Sequence, residues 1–222
     1  LLGPQRAWWR AHLREGTVAP LDFPLDWPRP AVQTFNGGVV PLSLPAELAA
    51  RLAAAARAHG CTLFQLVLAV WALLLCRHAG QEEVVIGSPY HGRDAAGTEV
   101  LIGYFVSVLA LRLEVARGGS VASLLEGARE CASSGMRYAA MPFQQVVEEA
   151  LPRRSHDASR NAVFQSMMGW GAEADECGGR RTTSGVRKRK EEPTHALRTR
   201  GVDEPRVAKA EVSLHAGVSS SG

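Results

Sequence analysis

The chain has 222 residues and a mass of 23.8 kDa, the size of one ordinary domain or of one lobe of a larger one. Hydrophobic residues make up 46% and charged residues 21%, enough apolar material for a packed core, which excludes a wholly disordered chain. A formal net charge of +3, from 25 Lys+Arg against 22 Asp+Glu, is too balanced for a general nucleic-acid binder.

The longest apolar run, Leu63 to Cys76, is interrupted by Gln65 and falls short of the about 20 residues that a bilayer requires. No membrane span is expected. The first residue is Leu, and no basic, apolar and small-residue leader follows it, so the chain reads as a piece of something longer. Cys61, Cys76, Cys131 and Cys177 are too dispersed for a disulfide framework. They read as reduced core thiols, with the cytoplasm as the expected compartment.

In chain order, Trp8 to Leu13 has helical character, and Pro20, Pro24, Pro28 and Pro30 then force an extended crossing. Gly38 to Leu44 alternates like a strand. Pro45 opens a helix through Leu48, Leu52 and Ala56 that Gly60 closes. Thr62 caps a helix over Leu63 to His78, ended by Gly80 and apolar around nearly its whole circumference, as a buried helix is. Glu83 to Ser88 and Tyr104 to Val115 are β-branched, strand-like runs. Ser120 caps an amphipathic helix to about Arg137, Pro142 begins a short helix to about Ala150, and Val163 to Gly169 reads as a last strand. Together these predict a layered α/β lobe.

The composition changes near residue 171. All three lysines, Lys188, Lys190 and Lys209, lie in the last part of the chain, and apolar periodicity fades from Gly171 onward. The expectation is a disordered tail over 171–222. Its Arg187-Lys188-Arg189-Lys190 run is short for a nucleic-acid patch and reads as a solvated charge cluster.

Several catalytic patterns are missing from the sequence. It contains no Gly-x-Ser-x-Gly elbow and no phosphate loop. Gly169-Trp170-Gly171-Ala172-Glu173-Ala174 matches G-x-G-x-x-A, but the helix whose N-terminus would receive a pyrophosphate does not follow. Cys76-Arg77-His78 lacks a second ligand pair for zinc. His59 and His78 fall at helix C-termini, where a cation suits the dipole. None of the seven histidines begins a His-x-x-x-Asp spacing.

A set of short segments carries a more specific signal through its order. Trp8-Trp9-Arg10-Ala11-His12-Leu13 precedes Pro24-Leu25-Asp26-Trp27-Pro28-Arg29-Pro30. Thr62-Leu63-Phe64 and Leu73 to His78 lead into Gly80 to Pro89 and then Gly92-Arg93. Ile102-Gly103-Tyr104-Phe105-Val106-Ser107 with Arg112, Met141-Pro142-Phe143-Gln144, and His156-Asp157-Ala158-Ser159-Arg160-Asn161-Ala162 follow. In this order they resemble the C-terminal lobe of the condensation domain of nonribosomal peptide synthetases. The three last segments resemble its Ile-Gly-x-Phe-Val-Asn-Thr, Pro-Phe-Glu and Arg-Asp-x-Ser-Arg-Asn-Pro-Leu motifs. Ser107 stands where the family has Asn, Gln144 where it has Glu, His156 where it has Arg, and Ala162 where it has Pro.

The resemblance implies an incomplete chloramphenicol-acetyltransferase-like α/β lobe, a mixed sheet packed with helices. It divides the chain into a linker and helix over 1–35, a partial C-terminal lobe over 36–170, and an unrelated tail over 171–222, where a frameshift, a retained intron or a mis-joined gene model would account for the shift in lysine. The intact domain joins a carrier-bound amine to a carrier-bound acyl thioester, with phosphopantetheine arms of carrier domains delivering both. Its His-His-x-x-x-Asp-Gly motif belongs to an N-terminal lobe that is implied as a partner; no catalytic residue, metal ligand, nucleic acid or membrane is assigned to this chain. The alternative is a non-catalytic interaction fragment or a pseudogene product.

Alternation over the expected strand sets Gly103, Phe105 and Ser107 on one face; the resemblance implies that this strand lies near the lobe interface, which makes these residues, with Arg93, the substrate-channel candidates, and a plain core strand is the alternative for the first three. Arg93 reads either as a loop anchor or as a pantetheine contact. Asp157, Arg160 and Asn161, together with Pro142 and Phe143, read as structural motif residues, with Asp157 and Arg160 pinning the loop over 152–161 as a charge-assisted pair.

Overall fold

The structure, a computed structural model, describes residues 2–14, 18–34, 37–40, 42–98, 100–150, 157–172, 196–199 and 212–219. Its first helix, α1 (Gly3–His12), begins earlier than Trp8 because Pro4 falls in the first turn, where its fixed φ suits a helix. The strand expected over 38–44 is reduced to β1 (Leu42–Ser43). Helix α2 (Ala46–Ala58) follows Pro45, and Gly60, at φ +64°, turns the chain out of it.

Helix α3 (Leu63–Ala79) is the centre of the core. Thr62 accepts a hydrogen bond from Gln65 N, and Gln65 Oε1 accepts one from Thr62 N at 2.8 Å, a reciprocal capping box. This is why a glutamine interrupts the apolar run: its amide closes the helix start. Gly80, left-handed at φ +69°, closes the other end. Leu66, Leu68, Ala69, Ala72, Leu75 and Cys76 are all buried. No single helix among the described residues is long and apolar enough to cross a membrane; α2 and α3 reach that length only together, across a 101° bend.

Strand β2 (Glu83–Tyr90) runs two residues beyond its expected end and pairs antiparallel with β3 (Ser107–Glu114) from Glu83↔Glu114 to Tyr90↔Ser107. The strand expected from Tyr104 therefore starts at Ser107. Once β2 turns away at Tyr90, residues 104–106 have no ladder to join. Tyr104 is 90% exposed, so the two-face alternation expected for 103–106 does not apply there.

Helix α4 (Val121–Arg137) begins at the Ser120 cap as expected, and α5 (Phe143–Ala150) follows Pro142. Helices α3 and α4 pack on each other and against β2 and β3, while α1 packs on α5. The last strand expected over 163–169 is β4 (Ser166–Ala172), parallel to β2. The glycines of the G-x-G-x-x-A match lie inside this strand, which removes the strand-to-helix turn that a dinucleotide would need. Two buried hydroxyls tie the layers together: Trp71 Nε1 donates to Ser166 Oγ at 3.0 Å, and Ser88 Oγ donates to Met168 O at 3.1 Å.

The structure differs from the expected structureless 171–222 at two segments. Strands β5 (Ala196–Thr199) and β6 (Val212–Ser219) complete a six-stranded sheet of order β1-β5-β6-β4-β2-β3 among the described residues. Strand β6 runs parallel to β4 along the whole of β4, Ser166↔Val212 to Ala172↔Val218. Val212-Ser213-Leu214-His215-Ala216-Gly217-Val218-Ser219 has strict period-two alternation, a local signal that the average composition of the surrounding residues conceals. The basic run at 187–190 lies outside the described residues.

Cys61, Cys76 and Cys131 are buried free thiols, and Cys177 lies outside the described residues. Burial pushes the Cys76 thiol up to about 11 and that of Cys131 up to about 12. Only thiolates react readily, so brief iodoacetamide pulses near neutral pH, read by peptide mass spectrometry, are expected to leave both unlabelled in the folded chain and to label both in urea. Equal labelling in the two states would remove them from the core.

Candidate functional site

The turn that follows β2 and the segment that precedes β3 fold onto each other, and one arginine joins them. Gly92 has φ +65°, and an added Cβ would stand 2.3 Å from Phe105 O; only a residue without a side chain lets the two backbones meet. Arg93 then spreads its guanidinium over the carbonyls of the opposite segment, donating to Thr98 O, to Leu101 O at 2.9 Å and to Gly103 O at 3.4 Å. Its Cζ lies 4.3 Å from the centroid of the Phe105 ring, a cation–π contact. A Cβ on Gly103 would touch the same ring at 3.0 Å.

Arg93, Gly103 and Phe105 thus form one cluster, and Ser107 follows as the first residue of β3, in register with Tyr90. Tyr90 donates its hydroxyl to Asp94 and stacks on His91 with centroids 5.0 Å apart. Partial burial, then the Asp94 hydrogen bond, pushes the Tyr90 phenol up to about 12. His91 Nδ1 accepts from Arg93 N at 3.1 Å. Held by this clamp, Val100, Leu101, Ile102, Tyr104 and Val106 are all exposed, Ile102 fully.

The second group of motif residues lies at the entry to β4. Asp157 Oδ1 accepts from Ser159 N at 2.9 Å and from Ser159 Oγ at 2.6 Å, bonds that hold its carboxyl below the usual range. Its other oxygen pairs with Arg160 Nε at 2.9 Å. Asn161 Oδ1 accepts from Val163 N at 2.9 Å and from Phe164 N at 3.3 Å. Gln165 donates to Asn161 O at 2.9 Å and accepts from Leu21 N at 2.7 Å, which ties the proline-rich crossing to the sheet. Phe143, placed at the start of α5 by Pro142, meets Phe164 at 5.7 Å between centroids. The Phe164 ring in turn lies 2.7 Å from where a Cβ on Gly87 would stand. These two motifs meet each other in the core, away from the Arg93 cluster.

A shallow cleft opens between Asp22–Arg29, His78 and Arg160, and Trp27 stands 82% exposed on its rim. Among the described residues, no three His, Cys, Asp or Glu side chains converge as metal ligands do. Two participants escaped the sequence reading: the Tyr90–Asp94 pair, and His12, whose partners lie on β3. An aromatic residue with an aspartate four positions on was the available signal for the first.

Residues 3–191 match the family model described as Condensation domain. The chain belongs to the condensation domain family. The match runs past residue 170, where motif spacing alone ended the resemblance. The chain is 38% identical over 169 residues to Malpibaldin synthetase of Mortierella alpina, covering 76% of this chain and 3% of that relative. It is 39% identical over 156 residues to Tyrocidine synthase 3 of Brevibacillus parabrevis, covering 70% of this chain and 2% of that relative. It therefore spans a small fraction of the curated proteins that it resembles.

Among solved structures, the X-domain from teicoplanin biosynthesis superposes with a TM-score of 0.73 at 26% identity, over 93% of this chain and 47% of the X-domain. The four-domain nonribosomal peptide synthetase AB3403, bound to AMP and glycine, gives a TM-score of 0.72 at 26% identity, over 78% of this chain and 13% of that one. The fold is accordingly the chloramphenicol-acetyltransferase-like α/β arrangement of condensation domains, and this chain corresponds to part of one.

Proposed function

We propose that this chain forms one wall of the cleft in which a condensation domain joins a carrier-bound amine to a carrier-bound acyl thioester. The observation that carries this reading is the exposed strip from Val100 to Val106, held in place by Arg93 beside the first residue of an edge strand. In the proposed reaction the amine nitrogen attacks the thioester carbonyl, the new C–N bond forms, and the C–S bond breaks to release a pantetheine thiol. An α-amine with a pKa near 8 is already roughly one-tenth neutral at pH 7, so little base strength is required. Holding two tethered reactants in line is worth up to about 7–11 kcal/mol.

The roles proposed for the four channel residues differ. Arg93 and Phe105 fix the loop, Gly103 lets the Phe105 ring lie against the channel wall, and Ser107 leaves room for the substrate arms. Ser107 offers a small hydroxyl at the point where the strand leaves the loop. The proton-handling imidazole comes from a His-x-x-x-Asp segment of the N-terminal lobe, since the present sequence contains no such spacing. Carrier domains bring the phosphopantetheine arms as substrate, and the proposed setting is the cytoplasm. Asp157, Arg160, Asn161, Pro142 and Phe143 are proposed to hold the lobe together without touching substrate.

The test joins this chain in frame to the N-terminal lobe of a related condensation domain and follows amide formation from pantetheinyl substrates by mass spectrometry. Ser107→Trp is expected to slow product formation by about tenfold or more, given the cost of small misplacements. Unchanged turnover, or amide formation by the chain without the added lobe, would sink the reading.

A further inference from the structure

Among the described residues β3 ends the sheet, so the outward N–H and C=O groups of its alternate residues have no strand to pair with. His12, in the last turn of α1, stands against two of them and pairs with one at a time. Its Nε2 stands 3.1 Å from Arg112 N and 3.2 Å from Ala110 O. The ring is fixed by stacking on Trp8, centroids 4.4 Å apart, and Trp8 stacks in turn on Tyr138, the residue that follows α4, at 4.7 Å. One ring nitrogen holds either a lone pair or a hydrogen, and an imidazolium can accept nothing. Only the neutral ring takes up the Arg112 N–H.

The charged and titratable groups around it come from every neighbouring element. From β3 come the Arg112 guanidinium and Glu114; Glu83 of β2 lies 3.7 Å from Arg112 Nε. Arg14, just beyond α1, pairs with Glu114 at 2.6 Å and with Glu83 at 3.6 Å. On α4, the Cys131 thiol donates to Arg112 O at 3.3 Å. On α5, Glu149 is engaged by Arg10 at 2.7 Å and Arg6 at 3.4 Å. The nearby carboxylates are thus bound to arginines, and the charge that acts on His12 is that of Arg112.

We propose that His12 is an acid-released clasp on the Arg112 N–H: neutral, its Nε2 accepts that hydrogen and holds α1 over the edge of β3; protonated, Nε2 can only donate, toward Ala110 O, and the Arg112 N–H is let go. Burial, followed by the Arg112 charge, lowers the His12 pKa to about 4, with the Ala110 carbonyl acting the other way. Because the clasped value lies below the ordinary 6.5, the open form binds more protons in between. The clasp is complete above 6.5 and is lost as pH falls toward 4. This inference is independent of the proposed catalysis.

The experiment measures amide exchange in the full chain, with protection corrected for the intrinsic pH dependence of exchange. Arg112 N–H is expected to be protected at about pH 7 and to lose at least about tenfold of that protection, one hydrogen bond's worth, near pH 4. Leu111 N–H, which alternation turns toward β2, serves as the internal control and is expected to change little. His12→Gln keeps an acceptor that does not titrate, and its Arg112 protection is expected to be flat with pH. A His12→Gln profile identical to wild type would overturn the proposal. An NMR titration placing wild-type His12 near 6.5 would do the same, without requiring the variant to fold.

Discussion

Trp9→Ala is expected to be among the most damaging single substitutions, lowering the stability of the chain by about 3–5 kcal/mol in urea unfolding. Trp9 is 1% exposed and belongs to a helix that carries the chain into the lobe. Its ring packs edge-on against Trp8 at 4.7 Å and against His12 at 5.8 Å, and its Nε1 donates to Tyr138 O at 3.0 Å. Truncation therefore leaves a large cavity and deprives a carbonyl at the end of α4 of its donor. The surface pairs of Arg6 and Arg10 with Glu149 also join α1 to α5, but exposed pairs contribute about 0–1 kcal/mol each and cannot replace the ring. Against a total of about 5–15 kcal/mol for an ordinary domain, the loss populates unfolded chain. Trp9→Phe, which keeps most of the apolar body and removes the donor, is expected to cost about 1–3 kcal/mol. A loss below about 1 kcal/mol for Trp9→Ala would mean that α1 is not docked as described.

Gly92→Ala is expected to open the loop between β2 and β3. The left-handed backbone costs alanine about 1 kcal/mol or more, and the added carbon would stand 2.3 Å from Phe105 O. Because that neighbour is backbone, it cannot swing aside, and the two segments must part. Once they part, the Arg93 guanidinium loses Phe105 and the carbonyls of Leu101 and Gly103 together. The expected readout is faster limited proteolysis between residues 95 and 104, with the core strands still protected from amide exchange. Arg93→Ala should reproduce the nicking without the backbone strain. Arg93→Lys should rescue little, since one ammonium lacks the planar fork that reaches several carbonyls. Unchanged proteolysis of Gly92→Ala would show that the loop is not held by this approach. In the joined domain described above, the same variant is expected to lose amide formation along with loop order.

How much of this was legible beforehand depended on the distance between signal and consequence. Helix α3 was readable to within a residue at its C-terminus because Thr62 and Gly80 act on the turns beside them. Helix α4 was readable for the same reason, through Ser120. The start of β3 was not, since residues 104–106 have strand-like composition but lose their partner when β2 ends at Tyr90. Strand β6 was missed although its alternation is strict, because an unpaired polar segment and an alternating strand look alike once averaged over many residues. The motif residues divided in a way that spacing did not foretell. Arg93, Gly103 and Phe105 converge in one loop, whereas Phe143 and Asn161 serve the core entry of β4.

Composition and local order were enough to establish the α/β class, the buried helix, the order of motifs that marks a condensation domain, and the missing His-x-x-x-Asp. These depend on neighbours in the chain, on capping, periodicity and turn chemistry. Which strand lies at the edge, which apolar strip is left exposed, and what His12 holds were decided only when the chain closed on itself. His12 meets acceptor and donor groups 98 and 100 residues away. Both are main-chain atoms, identical in every residue of their kind, so no pattern of side chains could have announced them.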